Sequence, residues 1–188
     1  MEEFEIKFLE VDVPELEKKL TAIGAKKVGE YMYRRRHFDY SDLRLDKKHE
    51  WIRVRDEGDK ITMAHKKRIN PGQNIKDAII NECEVEVNDF DKACQIFFSI
   101  GLEEKNYQEN KRIRYKKGDI EYDIDIWPKL PAYLEIEGKD IESVEIAGRE
   151  LGFDIKDSVR YTAWHMYKDK GIDLHDYQRI TFDGFVKK

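Results

Sequence analysis

The sequence predicts an α+β fold: an antiparallel sheet closed into a β-barrel, or tunnel, with charge inside and helices packed outside. Three observations predict it. Seven short segments alternate apolar and ionic residues with the period of a strand, so each has one apolar and one charged face. Four other stretches keep helical spacing and carry the apolar stripes that would cover the uncharged side of such a sheet. The order strand, Asp-containing turn, helix and glycine stop occurs twice, once from Glu3-Phe4-Glu5 to Gly24 and once from Glu82-Cys83-Glu84 to Gly101.

In chain order, residues 3–8 set Phe4, Ile6 and Phe8 against Glu3, Glu5 and Lys7. Pro14 suits a first helical turn, and Leu16, Leu20 and Ile23 keep helical spacing up to Gly24. Residues 51–55 oppose Ile52 and Val54 to Trp51, Arg53 and Arg55, and residues 61–66 oppose Ile61 and Met63 to Thr62, Ala64 and Lys66. Asn70-Pro71-Gly72 marks a turn between the halves. Residues 82–87 set Cys83, Val85 and Val87 against Glu82, Glu84 and Glu86. Asp89 or Asp91 can cap a helix carrying Phe90, Cys94, Phe97 and Phe98 that ends at Ile100-Gly101. Residues 112–115 set Arg112 and Arg114 against Ile113 and Tyr115. Residues 120–126 oppose Ile120, Tyr122, Ile124 and Ile126 to Glu121, Asp123 and Asp125, and residues 133–137 oppose Leu134 and Ile136 to Glu135 and Glu137. Helices are expected at roughly 141–151 and 158–169, leaving residues 171–188 as a polar-aromatic extension beyond a domain of residues 1–170.

Composition narrows the function classes. Of 188 residues, 40% are charged, against about 25% in a typical globular chain, yet the net charge is only −5. Two large opposite populations nearly cancel, which disfavours a nucleic-acid coat. Arg34-Arg35-Arg36-His37 beside Tyr31, Tyr33, Phe38 and Tyr40 is the one stretch that resembles a single-strand binder, and it reads better as a tunnel edge or solvated strand end. No apolar run reaches the ~20 residues of a membrane span. The acidic start Met1-Glu2-Glu3-Phe4-Glu5 is wrong for a secretory signal, and two cysteines make no disulfide framework, so a cytoplasmic chain, monomer or homodimer, is expected.

The choice of ionic residues is more informative than their alternation. The charged faces repeat Glu-x-Glu and Arg-x-Arg, and like charges on neighbouring positions repel unless opposite charge lies across from them. Glu3, Glu5, Glu82, Glu84, Glu86, Asp123, Asp125, Glu135 and Glu137 supply carboxylates, while Lys7, Arg53, Arg55, Lys66, Arg112 and Arg114 supply cations. Clustered carboxylates suit Mg²⁺ or Mn²⁺, and Arg and Lys suit phosphate oxygens. A metal–polyphosphate complex would satisfy both sets. Phosphoryl transfer needs mainly positioning and charge stabilisation, and no Ser-His, Cys-His or P-loop arrangement stands out.

Glu3-Phe4-Glu5-Ile6-Lys7 resembles the Glu-x-Glu-x-Lys signature of the CYTH domain, the triphosphate tunnel metalloenzyme superfamily. The order that follows is similar too: Arg53-x-Arg55, Lys66 after the Gly58 turn, Glu82-x-Glu84, Arg112 before Tyr115, and Asp125 ahead of Glu135-x-Glu137, across about residues 1–165. The resemblance implies an eight-stranded antiparallel tunnel that binds a small-molecule triphosphate with divalent metal. It puts Glu3, Glu5 and Glu137 on a main Mg²⁺ or Mn²⁺, and Glu84 or Glu82 with Asp125 and Glu135 on a second. Lys7, Arg53, Arg55, Lys66 and Arg112 would grip phosphate, with Arg114 on the same face and Trp51 placed to stack on an organic group. Lys7 or a metal-held carboxylate would orient water, with Glu5 and Arg55 also catalytic. The family often has Lys two residues before Arg112, where this chain has Asn110.

The superfamily includes triphosphatases and class IV adenylyl cyclases. The His-Phe pair that precedes the signature in those cyclases is absent here, which favours hydrolysis of the terminal phosphoanhydride of tripolyphosphate, thiamine triphosphate or a nucleoside triphosphate. Cyclic AMP formation from ATP is the alternative, and a non-catalytic polyphosphate or nucleotide binder is a third.

Overall fold

The computed structural model describes residues 4–69, 80–160 and 162–188. Glu3, the Asn70-Pro71-Gly72 turn and Tyr161 lie outside the described residues. The fold is α+β with an antiparallel arrangement of the main strands, the class that alternation predicts. The chain forms two compact units, one of Met1–Tyr31 with Lys111–Met166 and one of Met32–Asn110 with Tyr167–Lys188.

Elements of the first unit are β1 (Phe4–Phe8), α1 (Val13–Ala22), β7 (Ile120–Ile126), β8 (Tyr133–Gly138) and α3 (Ile141–Glu150), with the ends of two long strands, β2 (Lys26–Asp39) and β6 (Glu103–Lys117). Its strand order is β1-β8-β7-β6. Ile6, Phe8, Ile113, Tyr122, Ile124, Leu134 and Ile136 form the apolar face of these strands, and α1 and α3 cover it through Leu16, Leu20, Val144, Ala147 and Leu151. Each helix begins at an aspartate that accepts a backbone N–H at the third helical position: Asp12 from Glu15 and Asp140 from Ser143.

Elements of the second unit are β3 (Glu50–Asp56), β4 (Ile61–Arg68), β5 (Ile80–Val87), α2 (Phe90–Ser99), β9 (Tyr177–Thr181) and β10 (Gly184–Lys187), with the remaining parts of β2 and β6. The strand order is β6-β2-β3-β4-β5, and β9 runs parallel to β6 with β10 beside it. Phe38 and Val54 pack against Phe90, Ala93 and Cys94 of α2, which Asp89, rather than Asp91, caps by accepting from Lys92 N–H. α4 (Ala163–Asp169) contributes residues to both units.

The sequence-level repeat survives as element order, β1-α1-β2-β3-β4 followed by β5-α2-β6-β7-β8. Pairing then exchanges the leading strands: β1 joins β8 and β5 joins β4.

Three expectations change. Residues 26–39 form a 14-residue strand that the alternation rule does not reveal. Its charges occupy both faces: Arg35 is buried, while Arg34 and Arg36 hold their guanidinium carbons 4.5 and 5.6 Å from the Phe90 ring centroid. β6 extends well before residue 112, because Asn106, Gln108 and Asn110 are buried polar side chains where alternation anticipates apolar ones. α4 starts at Ala163 instead of near 158, since Val159 exchanges two backbone hydrogen bonds of 2.9 Å with Lys7 at the edge of β1. Among the described residues, no helix is long and apolar enough to cross a membrane.

Candidate active site

In the first unit the charged face is a ladder set by strand register. Across β1, β8, β7 and β6, Lys7 lies opposite Glu135, Glu135 opposite Asp123, and Asp123 opposite Arg114. One row away Glu5 lies opposite Glu137 and Glu137 opposite Glu121, and Arg112 lies opposite Asp125. A shift of one residue in any pairing would turn these charges onto the apolar face, so the burial of Ile6, Ile124 and Ile136 fixes the ladder.

The ladder is tightly ion-paired. Lys7 Nζ is 2.5 Å from Glu5 and 2.9 Å from Glu135. Arg112 reaches Asp123 at 2.6 Å, Asp125 at 2.5 Å and Glu135 at 3.1 Å. Arg114 contacts Glu121 and Asp123, each at 2.8 Å. Burial by itself pushes a lysine down and a carboxylate up. Here the partners win: Glu135 and Glu5 hold Lys7 above its ordinary range, and Lys7 and Arg112 overcome burial to hold Glu135 down at about 2. Both groups are therefore charged throughout the physiological range. Beside them Tyr133 accepts a 3.0 Å hydrogen bond from the Trp127 indole N–H, and burial, then Asp125 and Glu135, keep its phenol protonated.

The second unit holds a separate, cation-rich face. Arg53, Arg55, Thr62, Ala64, Lys66, Glu82 and Glu84 occupy alternate positions of β3, β4 and β5, opposite the face on which α2 packs. Lys66 reaches Glu82 at 2.6 Å, Arg53 reaches Glu84 at 3.2 Å, and the Thr62 hydroxyl donates to Glu84 at 3.2 Å. Trp51 lies opposite Lys66 in register. Burial, then the neighbouring Arg55, push Arg53 down to about 10, while burial and Arg53 lower Lys66.

Thus the structure brings Glu5, Lys7, Arg112, Arg114, Asp125, Glu135 and Glu137 onto one face of the first unit, and Trp51, Arg53, Arg55, Lys66, Glu82 and Glu84 onto one face of the second. The sequence reading misses two buried groups. Glu57 is 3% exposed and pairs with Arg55. Alternation continued two residues past Arg55 would have found it. Arg35 on β2 is 8% exposed and donates to the Asn110 side-chain oxygen. Asn110 itself is uncharged, so the cation in its neighbourhood stands on β2.

For a divalent metal, the donor set is carboxylate oxygen alone, which fits Mg²⁺ or Mn²⁺ rather than a softer ion. Glu5 and Glu137, directly opposite across β1 and β8, are the donors best placed to share one. Among the described residues, no three His, Cys, Asp or Glu gather as a ready metal cage.

The chain belongs to the CYTH family: the CYTH domain profile matches residues 1–162. Among solved structures, it is similar to a candidate adenylate cyclase from Vibrio parahaemolyticus, at 11% identity and TM-score 0.73, covering 88% of this chain and 97% of that one. It is also similar to the PH1012 protein of Pyrococcus horikoshii OT3, at 21% identity and TM-score 0.66, covering 84% and 94%. A third is HpAC1 of Hippeastrum, a candidate adenylyl cyclase described as having a dominant triphosphatase activity, at 15% identity and TM-score 0.61, covering 92% and 97%. At these identities the likeness is one of fold. A search of curated proteins found no match.

Proposed function

We propose that this CYTH protein is a divalent-metal-dependent triphosphatase that hydrolyses the terminal phosphoanhydride of a small-molecule triphosphate. The observation that carries the reading is the pairing of chemistries within single faces: buried, permanently charged Lys and Arg interleaved with carboxylates on adjacent strands. Phosphoryl transfer asks a protein for little else.

Arg53, Arg55 and Lys66 would hold phosphate oxygens, the arginines by their planar forks and the lysine as a point charge. On the face of the first unit, Arg112 and Lys7 would also be phosphate-binding residues, and Arg114 would support them through Asp123. Glu5 and Glu137, joined by Glu3, would hold Mg²⁺ or Mn²⁺, which when bound supplies charge neutralisation of the phosphates. Glu82, Glu84, Asp125 and Glu135 already engage Lys66, Arg53, Arg112 and Lys7. Their proposed role is to aim those cations, with metal ligation requiring an ion pair to be given up. Water attacks the terminal phosphorus, the bridging P–O bond breaks, and diphosphate leaves with the bond's electrons. The water's proton passes to solvent. Lys7, fully protonated, donates to a phosphate oxygen or to the attacking water's lone pair and so orients it.

The test is product-resolved turnover of tripolyphosphate, ATP and thiamine triphosphate in parallel with Mg²⁺ or Mn²⁺. Orthophosphate release, fastest from one of them, supports the reading and names the substrate. Arg55→Ala and Glu5→Gln should each lower the rate about 10²–10³-fold, by analogy with loss of a single transition-state donor. Cyclic AMP with pyrophosphate from ATP would make the protein a cyclase. Unchanged turnover in both variants at saturating metal would remove these residues from the site.

A further inference from the structure

Tyr133 stands on the charged face of the first unit without carrying a charge. It begins β8, and alternation along that strand places it in one row with Glu135 and Glu137. Across the sheet it lies opposite Asp125 of β7. Counting charges along the sequence passes over it. The residue is 4% exposed, so its hydroxyl finds its hydrogen bonds within the protein or from something bound there.

A phenol oxygen accepts through its lone pairs and donates through its one O–H, whereas an indole N–H can only donate. The Trp127 indole N–H, 3.0 Å away, therefore occupies the accepting side of Tyr133 and fixes its ring. The two residues flank the connection from β7 to β8. The donating side is unanswered: among the described residues, Trp127 is the hydroxyl's one hydrogen-bond partner. The carboxylates that share the row or the register are turned to cations. Asp125 accepts from Arg112 through both oxygens, and Glu135 pairs with Arg112 through one oxygen and with Lys7 through the other. A buried O–H left without an acceptor is costly. On a face that presents Lys7 and Arg112, the acceptor it lacks is an oxygen of a bound anion.

We propose that Tyr133 is a phosphate-binding residue, donating its phenol O–H to an oxygen of the same triphosphate that Lys7 and Arg112 engage. The inference rests on the triphosphatase reading for the identity of that anion. A neutral donor does what the two cations cannot: it directs one oxygen without adding charge to the face. The rival role is structural, with Tyr133 serving only as the acceptor that ties Trp127 across the β7–β8 connection.

The test is calorimetric titration of the full-length protein with inorganic tripolyphosphate in EDTA, with thermal unfolding of each variant without ligand. Tyr133→Phe removes the hydroxyl and little else, whereas Trp127→Phe removes the indole N–H and leaves the hydroxyl. Both lose the bond between the two residues, so both should melt at a lower temperature than the wild type. Tyr133→Phe should weaken binding about tenfold or more, the scale of one hydrogen bond to a charged group, and Trp127→Phe by no more than about threefold. Wild-type affinity in Tyr133→Phe overturns the proposal. So does a loss in Trp127→Phe as large as that in Tyr133→Phe, which would trace the effect to the tie and not to the O–H. Should Tyr133→Phe not fold, wild-type protein labelled with fluorotyrosine decides: tripolyphosphate should shift the fluorine resonance that Trp127→Phe displaces, and an unmoved resonance overturns the proposal. Failure of the wild type to bind metal-free tripolyphosphate also overturns it, whereas the fate of the triphosphatase reading is decided by the turnover assay.

Discussion

Glu5 and Glu135 both touch Lys7, yet their surroundings separate function from stability. The Glu135 side chain is 10% exposed and lies between Lys7 and Arg112, whereas that of Glu5 is 46% exposed. Removing one partner of a buried ion pair typically costs about 3–5 kcal/mol, because it strands the other charge. An exposed pair contributes about 0–1 kcal/mol. Glu135→Gln should therefore destabilise the protein by about 3 kcal/mol or more in urea denaturation, and Glu5→Gln by less than about 1 kcal/mol while still losing turnover. Equal stability losses in the two variants would contradict the ladder as described. At this scale the charged faces were largely legible: a Glu-x-Glu or Arg-x-Arg doublet opposed to apolar neighbours leaves a visible trace. Glu57 left only a continuation of the alternation, because it sits just past a strand end, and Arg35 left none, because its strand carries cations on both faces.

Elements follow local chemistry where one side chain decides the geometry. Asp12, Asp89 and Asp140 each cap a helix; the sequence reading placed the first start from Pro14 and the second from a cap at Asp89 or Asp91. Asp89→Ala should cost about 1 kcal/mol, lowering the melting temperature by about 2–4 °C for a chain of this size, with the site unaffected. Gly138 at the end of β8 has a different reason. A Cβ there would meet Ile120 Cδ1 at 2.8 Å, Ser143 Oγ at 3.0 Å and Val144 Cγ1 at 3.1 Å, so its absence lets α3 sit down on β8 and β7. Gly138→Ala should cost about 1–3 kcal/mol as an overpacked contact, measured by the same melting experiment. The elements that were not readable, β2 and the first half of β6, share a cause. Their buried residues include Arg35, Asn106, Gln108 and Asn110; Arg35 and Asn110 pair with each other across strands, and Asn106 pairs with His37, all partners distant in sequence.

For the whole chain, acidification is the informative perturbation. His37 stays neutral in the folded protein down to about pH 3, whereas in the unfolded chain it gains a proton near 6.5. Between those values the unfolded state binds more protons, so stability is complete above pH 6.5 and falls as pH drops toward 3, with a slope of up to about 1.4 kcal/mol per pH unit from this one group. Glu135, held down at about 2, adds to the loss below its unfolded value of about 4.5. Urea titrations across this range should show His37→Gln flattening the part between about pH 6.5 and 4.5; an unaltered slope there would assign it to other groups. By itself, the sequence determined the antiparallel α+β class, the helices α1, α2 and α3, and the pattern of carboxylate and cation doublets that marks the CYTH family, because each is written in spacing of 2 or 3.6 residues. Only the tertiary structure decided which charges face one another across strands. Register is set by the buried apolar residues on the other face, and it is this register that pairs Lys7 with Glu135 and sets Arg35 opposite Arg55.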